Sequence, residues 1–189
     1  MSQQHSSSII TTKFPCYQLH AIMSGFPFDE TVTLLYLPDI SGEVPKVGGM
    51  YATMLEGSGQ PVQLDRLGVG KQQWRIIPAE GDDHHLCKIA GFTNPDEGIT
   101  IIDVAPAWKN DKPEPGTPVT ISSFGDASIY KVNSKDHDGG WIISIVPNDH
   151  YDKVGVDRYA GASGRTVDIV GVPVVRDPSP RPGWFASKA

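Results

Sequence analysis

The feature that most constrains this chain is that proline or glycine interrupts it before a helix can form. With 16 Pro and 20 Gly in 189 residues, every candidate amphipathic helix is cut within about two turns. The segments between the interruptions are short and rich in β-branched and aliphatic residues. They include TVTLLYLP at 31–38, PVQLDRL at 61–67 and QQWRIIP at 72–78. In the second of these, Val62 and Leu64 alternate with Gln63 and Asp65, the period of a half-buried strand. An all-β chain follows, and its length suits one domain with a proper core.

Three anchors recur: Pro61-Val62 before Trp74, Pro118-Val119 before Trp141, and Pro173-Val174 before Trp184. They divide the chain into three four-stranded units. The first takes strands at 31–38, 50–55, 61–67 and 72–78. The second takes 85–92, 99–105, 117–124 and 141–147, with a loop from Trp108 and a ragged extra strand at 129–132. The third has a strand near 153–157, a turn at 159–165, an apolar run at 166–175 and a closing strand from Trp184. Three such units make a β-trefoil, a six-stranded barrel capped by three hairpins, a closure that removes most exposed sheet edges. The three tryptophans are expected at equivalent core positions, although the Val-to-Trp spacings of 12, 22 and 10 residues differ. Residues 31–189 are read as this single domain. Residues 1–30 are read as a partly disordered N-terminal extension, whose CYQLHAI stretch supplies strand-like material.

Net charge is −6 and the chain has no basic cluster, so no nucleic-acid partner is expected. No apolar run approaches the roughly 20 residues that span a bilayer. The start, MSQQHSSSIITTK, lacks the basic and apolar regions of a signal peptide. The expectation is a cytoplasmic monomer without a membrane partner. Cys16 and Cys87 fit no metal-ligand spacing; one disulfide or two packed thiols both remain open.

Enzymatic chemistry is poorly represented. Asp82-Asp83-His84-His85 suggests a metal site, but neighbouring side chains on a strand point to opposite faces and cannot chelate together. The GVGK run at 68–71 lacks full phosphate-loop spacing, and GASG at 161–164 has no strand-to-helix context for a nucleophile elbow. No catalysis, cofactor or metal is expected. A carbohydrate-binding trefoil is the alternative, since its Gln-x-Trp signature matches at Gln72-Gln73-Trp74. It matches only there: Trp141 follows Gly-Gly and Trp184 follows Pro-Gly.

GGMYATMLEGSGQPVQLDRLGVGKQQWRIIP, together with the C-terminal VDIVGVPVVRDPSPRPGWF, resembles the mycocypins, the mushroom protease inhibitors that comprise clitocypins and macrocypins. The resemblance runs from about residue 30 to the C-terminus. It implies a β-trefoil that reversibly inhibits papain-like cysteine proteases by wedging the loops after its first and third strands into the active-site cleft. Carried onto this chain, the first loop is residues 39–49. Its expected contact tip runs through Glu43, Val44, Pro45, Lys46 and Val47 to Gly48 and Gly49. The loop after the third strand is Leu67, Gly68, Val69, Gly70 and Lys71. Glycines there would let backbone approach a cleft without a Cβ in the way. The resemblance further implies a second site, directed at legumain, at Asn94 in the loop after the fifth strand. Asn94 precedes Pro95, and Asn-Pro is also an ordinary turn opener.

Overall fold

The computed structural model describes residues 26–81, 83, 85–92, 105–175 and 179–189. Among the described residues, twelve strands fall into three sets of four. The first repeat contains β1 (Thr31–Leu37), β2 (Tyr51–Thr53), β3 (Gln63–Asp65) and β4 (Trp74–Pro78). The second contains β5 (Leu86–Gly91), β6 (Pro106–Asn110), β7 (Val119–Ser123) and β8 (Tyr130–His137). The third contains β9 (Gly140–Pro147), β10 (Val156–Ser163), β11 (Thr166–Pro173) and β12 (Gly183–Lys188).

The first and fourth strand of each repeat build a closed ring. Going round it, β1 pairs β4, β4 pairs β5, β5 pairs β8, β8 pairs β9, β9 pairs β12, and β12 returns to β1, all antiparallel. The inner two strands of each repeat form a hairpin, β2–β3, β6–β7 or β10–β11. The fold is therefore a β-trefoil: a six-stranded barrel with three hairpins across one end.

The hairpins meet at three valines. The Val62 amide donates to the Val119 carbonyl at 2.9 Å, and the Val167 amide to the Val62 carbonyl at 2.9 Å. The Pro118–Asp168 bridge sets Val119 beside Val167 in turn. All three side chains are fully buried. Pro61 and Pro118 precede two of them, in short strands where a missing N–H breaks little of the ladder.

Inside the barrel, equivalent positions carry matched apolar residues. Val32, Cys87 and Ile143 form one set and Leu34, Ile89 and Ile145 another. Trp74, Tyr130 and Trp184 stand opposite the first set. Trp74 Nε1 donates to the Ala52 carbonyl at 2.9 Å and Trp184 Nε1 to the Ala160 carbonyl at 2.8 Å. The middle repeat reverses the sizes. Tyr130 replaces the barrel tryptophan, and Trp108 stands on β6 where Ala52 and Ala160 stand on β2 and β10. Trp108 packs edge-on against Trp74, Trp184 and Tyr130. The larger hairpin residue fills the space that the smaller barrel residue leaves, which keeps the interior close-packed.

The order of repeats matches the sequence reading, but the middle and third repeats are assembled differently. Trp141 is not the partner of Trp74 and Trp184. It lies near the start of β9, opposite Ala186, and is only half-buried, stacked edge-on with Phe26 at 5.7 Å. The fourth strand of the second repeat is β8, read from sequence as a ragged extra, and it pairs with β9 along its whole length. The third axial valine is Val167, not Val174, which is exposed. The strand that pairs with β7 is Pro106–Asn110, where a loop was expected from Trp108. Asn110 disguised it, being a buried polar residue whose amide group donates to Lys112 O and Asp149 Oδ2. Residues 99–104, expected as that strand, lie outside the described residues, as do Cys16, Asp82 and His84. β10 runs to Ser163, so the turn expected at 159–165 shrinks to a hairpin tip at Gly164. Cys87 is a buried thiol inside the barrel.

Candidate functional site

Leu35 sits opposite Tyr51, and Tyr51 opposite Asp65. Residues 38–50 leave β1 two residues after Leu35 and return at Tyr51. Residues 66–73 begin one residue after Asp65. The bases of both loops therefore lie at one level on three neighbouring strands, and the two loops stand side by side.

The first loop is held at its neck and open at its tip. Tyr36 N donates to Met50 O at 2.8 Å, closing the neck. Ile40 N donates to Arg181 O at 2.8 Å, tying the outgoing arm to the segment that enters β12. Asp39 organises the next turn: its Oδ1 accepts from the Ser41 amide at 3.0 Å and its carbonyl from the Gly42 amide at 3.2 Å. The Ser41 contact holds the Asp39 carboxyl below its ordinary pKa. Beyond this turn Val44 is half-buried, whereas Glu43, Pro45, Lys46, Val47, Gly48 and Gly49 are exposed. Val47 is 92% exposed.

Two adjacent glycines turn the chain back. Gly48 has φ +80° and Gly49 φ +99°, a region that L-residues with a side chain rarely adopt. They differ in surroundings. A Cβ on Gly48 would meet nothing, whereas one on Gly49 would run into Leu35 Cδ1. Gly49 is thus required twice, for its backbone angle and for its fit over a buried core residue.

The second loop is clamped by one buried side chain. Gln72 is 5% exposed. Its Oε1 accepts from the Gly68 amide at 2.8 Å, and its Nε2 donates to the Arg66 carbonyl at 2.8 Å and to Thr53 Oγ1 at 2.9 Å. Met54 N also donates to Lys71 O at 2.8 Å. Between these fixed points Leu67 and Val69 are exposed, at 62% and 47%. Lys71 pairs with Glu56 at 3.7 Å, both well exposed, an interaction that contributes little to stability.

The residues expected at the two loops from the sequence are thus brought together on one edge of the first repeat. Asn94 lies outside the described residues. Sequence reasoning missed the role of Gln72. Its only signal was the Gln72-Gln73-Trp74 run, read there as one copy of a sugar-binding signature; in the structure Gln72 is committed to the loop and Trp74 to the core.

A cavity of about 480 Å³ lies between the first and second hairpins, lined by residues that include Met54, Lys71, Pro106 and Ile121. Among the described residues no three His, Cys, Asp or Glu side chains lie close enough to hold a metal ion.

The family described as peptidase inhibitor clitocypin matches residues 36–185, from near the end of β1 into β12. The chain belongs to the clitocypin family of peptidase inhibitors. The matched span includes all three repeats and both loops of the clamped edge. No curated protein shows a match to the chain. Membership of the clitocypin family makes a peptidase the partner of this chain and makes the chain an inhibitor rather than an enzyme.

Proposed function

We propose that this clitocypin-family protein reversibly inhibits papain-like cysteine peptidases, with residues 43–49 and 67–71 occluding the active-site cleft. The observation that carries the reading is the pairing of two pre-set loops on one edge of the first repeat. Each presents exposed apolar side chains, Val47 on one and Leu67 and Val69 on the other. Each is fixed at its base by hydrogen bonds from buried or strand-borne groups. Loops already held in shape lose little conformational freedom on binding. Glycines at the tips, with open space around Gly48 and Gly68, present a thin edge of backbone suited to a narrow cleft.

The test is papain inhibition by the full chain and by Val47→Asp and Leu67→Asp. Both positions are solvent-exposed, so the variants fold as the parent does. Each is expected to weaken inhibition at least about tenfold, as removal of an interface anchor does. Unchanged inhibition constants for both would remove these loops from the contact. Absence of inhibition together with binding to a glycan array would favour the carbohydrate-binding alternative. The resemblance also assigns legumain to Asn94; legumain inhibition unaltered by Asn94→Ala would discard that second site.

A further inference from the structure

The third repeat carries a second copy of the first loop's tip. Lys46-Val47-Gly48 lies between β1 and β2, and Lys153-Val154-Gly155 lies between β9 and β10, the same connection two repeats later. Val47 is 92% exposed and Val154 98%. Gly48 has φ +80° and Gly155 φ +83°, and a Cβ at either would meet nothing. The middle repeat closes the same ring with no Lys-Val-Gly in its sequence, so the fold does not demand the tripeptide.

The likeness extends to the second loop. Val69 follows the axial Val62 by seven residues, and Val174 follows the axial Val167 by seven. Both are exposed, as is Val175 at 57%. The Val174 amide donates to the Gly155 carbonyl at 2.8 Å, so this segment and the Val154 loop touch. Exposed valines are thereby carried on two segments joined by a backbone hydrogen bond, Val154 on one and Val174 and Val175 on the other, and exposed apolar residues brought near one another mark an interaction site where a lone one does not. The loop is braced from behind. The Arg158 guanidinium lies 4.4 Å from the Tyr151 ring centroid and donates to Pro113 O at 3.2 Å and Asp149 O at 3.0 Å.

We propose that Val154, Val174 and Val175 form a second docking surface for a papain-like peptidase, built on the plan of the first-repeat edge. The inference rests on reading that edge as an inhibitory contact. Papain is again the probe, with binding to the full chain measured by calorimetry for the parent, Val47→Asp, Val154→Asp and the double variant. Unfolding midpoints equal to the parent's establish that each variant is folded. Two surfaces predict that the parent takes up two papain molecules, that each single variant weakens its own site at least about tenfold and leaves the other, and that the double variant weakens both. If Val154→Asp changes nothing and Val47→Asp alone loses as much as the double variant, the second surface is overturned and the first-edge reading stands. Loss of binding in Val154→Asp alone, with Val47→Asp unaffected, would support the second surface and refute the first. No papain binding by the parent, or full binding by the double variant, overturns both.

Discussion

The Gly68 amide donates to Gln72 Oε1 at 2.8 Å, so one buried side chain fixes the backbone of an exposed loop. Gln72 also holds Arg66 O and Thr53 Oγ1. Removing the amide leaves the buried Thr53 hydroxyl, and the Gly68 amide and Arg66 carbonyl of two exposed residues, without this partner; three hydrogen bonds at about 0.5–1.5 kcal/mol each, partly replaced by water, put the loss at about 1–3 kcal/mol. Gln72→Leu is therefore expected to lower stability by that amount in urea unfolding. It is also expected to weaken papain inhibition by more than the stability loss accounts for, because the loop is no longer pre-set. Equal inhibition by parent and folded variant would show that loop rigidity is irrelevant to binding.

Gly48 and Gly49 separate backbone strain from packing. At Gly48 an added methyl meets only solvent, and Gly48→Ala is expected to cost about 1 kcal/mol from the positive φ alone. At Gly49 the same methyl also collides with Leu35, and Gly49→Ala is expected to cost about 2–4 kcal/mol. Chemical unfolding of the two variants compares them directly. Equal losses would mean that the loop lifts away from Leu35 at no cost.

The reversed sizes in the middle repeat predict a coupled pair. Trp108→Ala empties a fully buried site and is expected to cost about 3–5 kcal/mol. Tyr130→Trp made in the Trp108→Ala background recreates the Trp–Ala pairing of the other two repeats. A double-mutant cycle is expected to show about 1–3 kcal/mol of recovery. Additive losses would refute the compensation.

Burial pushes the Cys87 thiol up to about 12, with the Asp29 and Asp83 carboxylates adding to the effect. The folded state thus holds this proton more tightly than the unfolded chain does. The associated stability is fully present below the unfolded thiol's ordinary value, near 9, and is lost as pH rises from there towards about 12. Cys87 is expected to resist a thiol reagent at pH 8 in the native protein and to react promptly in denaturant. Rapid native labelling at Cys87, followed by mass spectrometry of the peptide, would contradict its placement in the barrel.

The architecture was legible where one residue type meets one physical demand. Val62 and Val119 are recognisable because a proline precedes each and the axis needs a small branched residue; Val167 follows Thr166 instead, and Pro173-Val174 nearby is the more conspicuous pair. Trp141 misled because a tryptophan near a strand start looks alike whether it fills the barrel or, as here, stacks on Phe26. The strand at Tyr130–His137 was hidden by its polar second half, although Asp138-Gly139 before β9 is a strong hairpin signal. The two loops were located closely by their glycines and prolines. The Gln72 clamp was not, because its partners are backbone groups and one threonine, and a hydrogen bond to a carbonyl or an amide leaves no trace in the identity of the residue that supplies it.

The pairing of β1 with β12 has a consequence for how the protein is made. Val32 sits opposite Lys188 and Leu37 opposite Gly183, so the ring joins strands from the two ends of the described chain. Contacts between such distant residues form slowly, because much of the chain must be ordered before they are rewarded. During synthesis the first repeat leaves the ribosome long before β12 exists, and Ile40 has no Arg181 carbonyl to bond. The first loop therefore lacks one of its two anchors until the last strand emerges. A chain that still lacks β12 cannot present the finished edge.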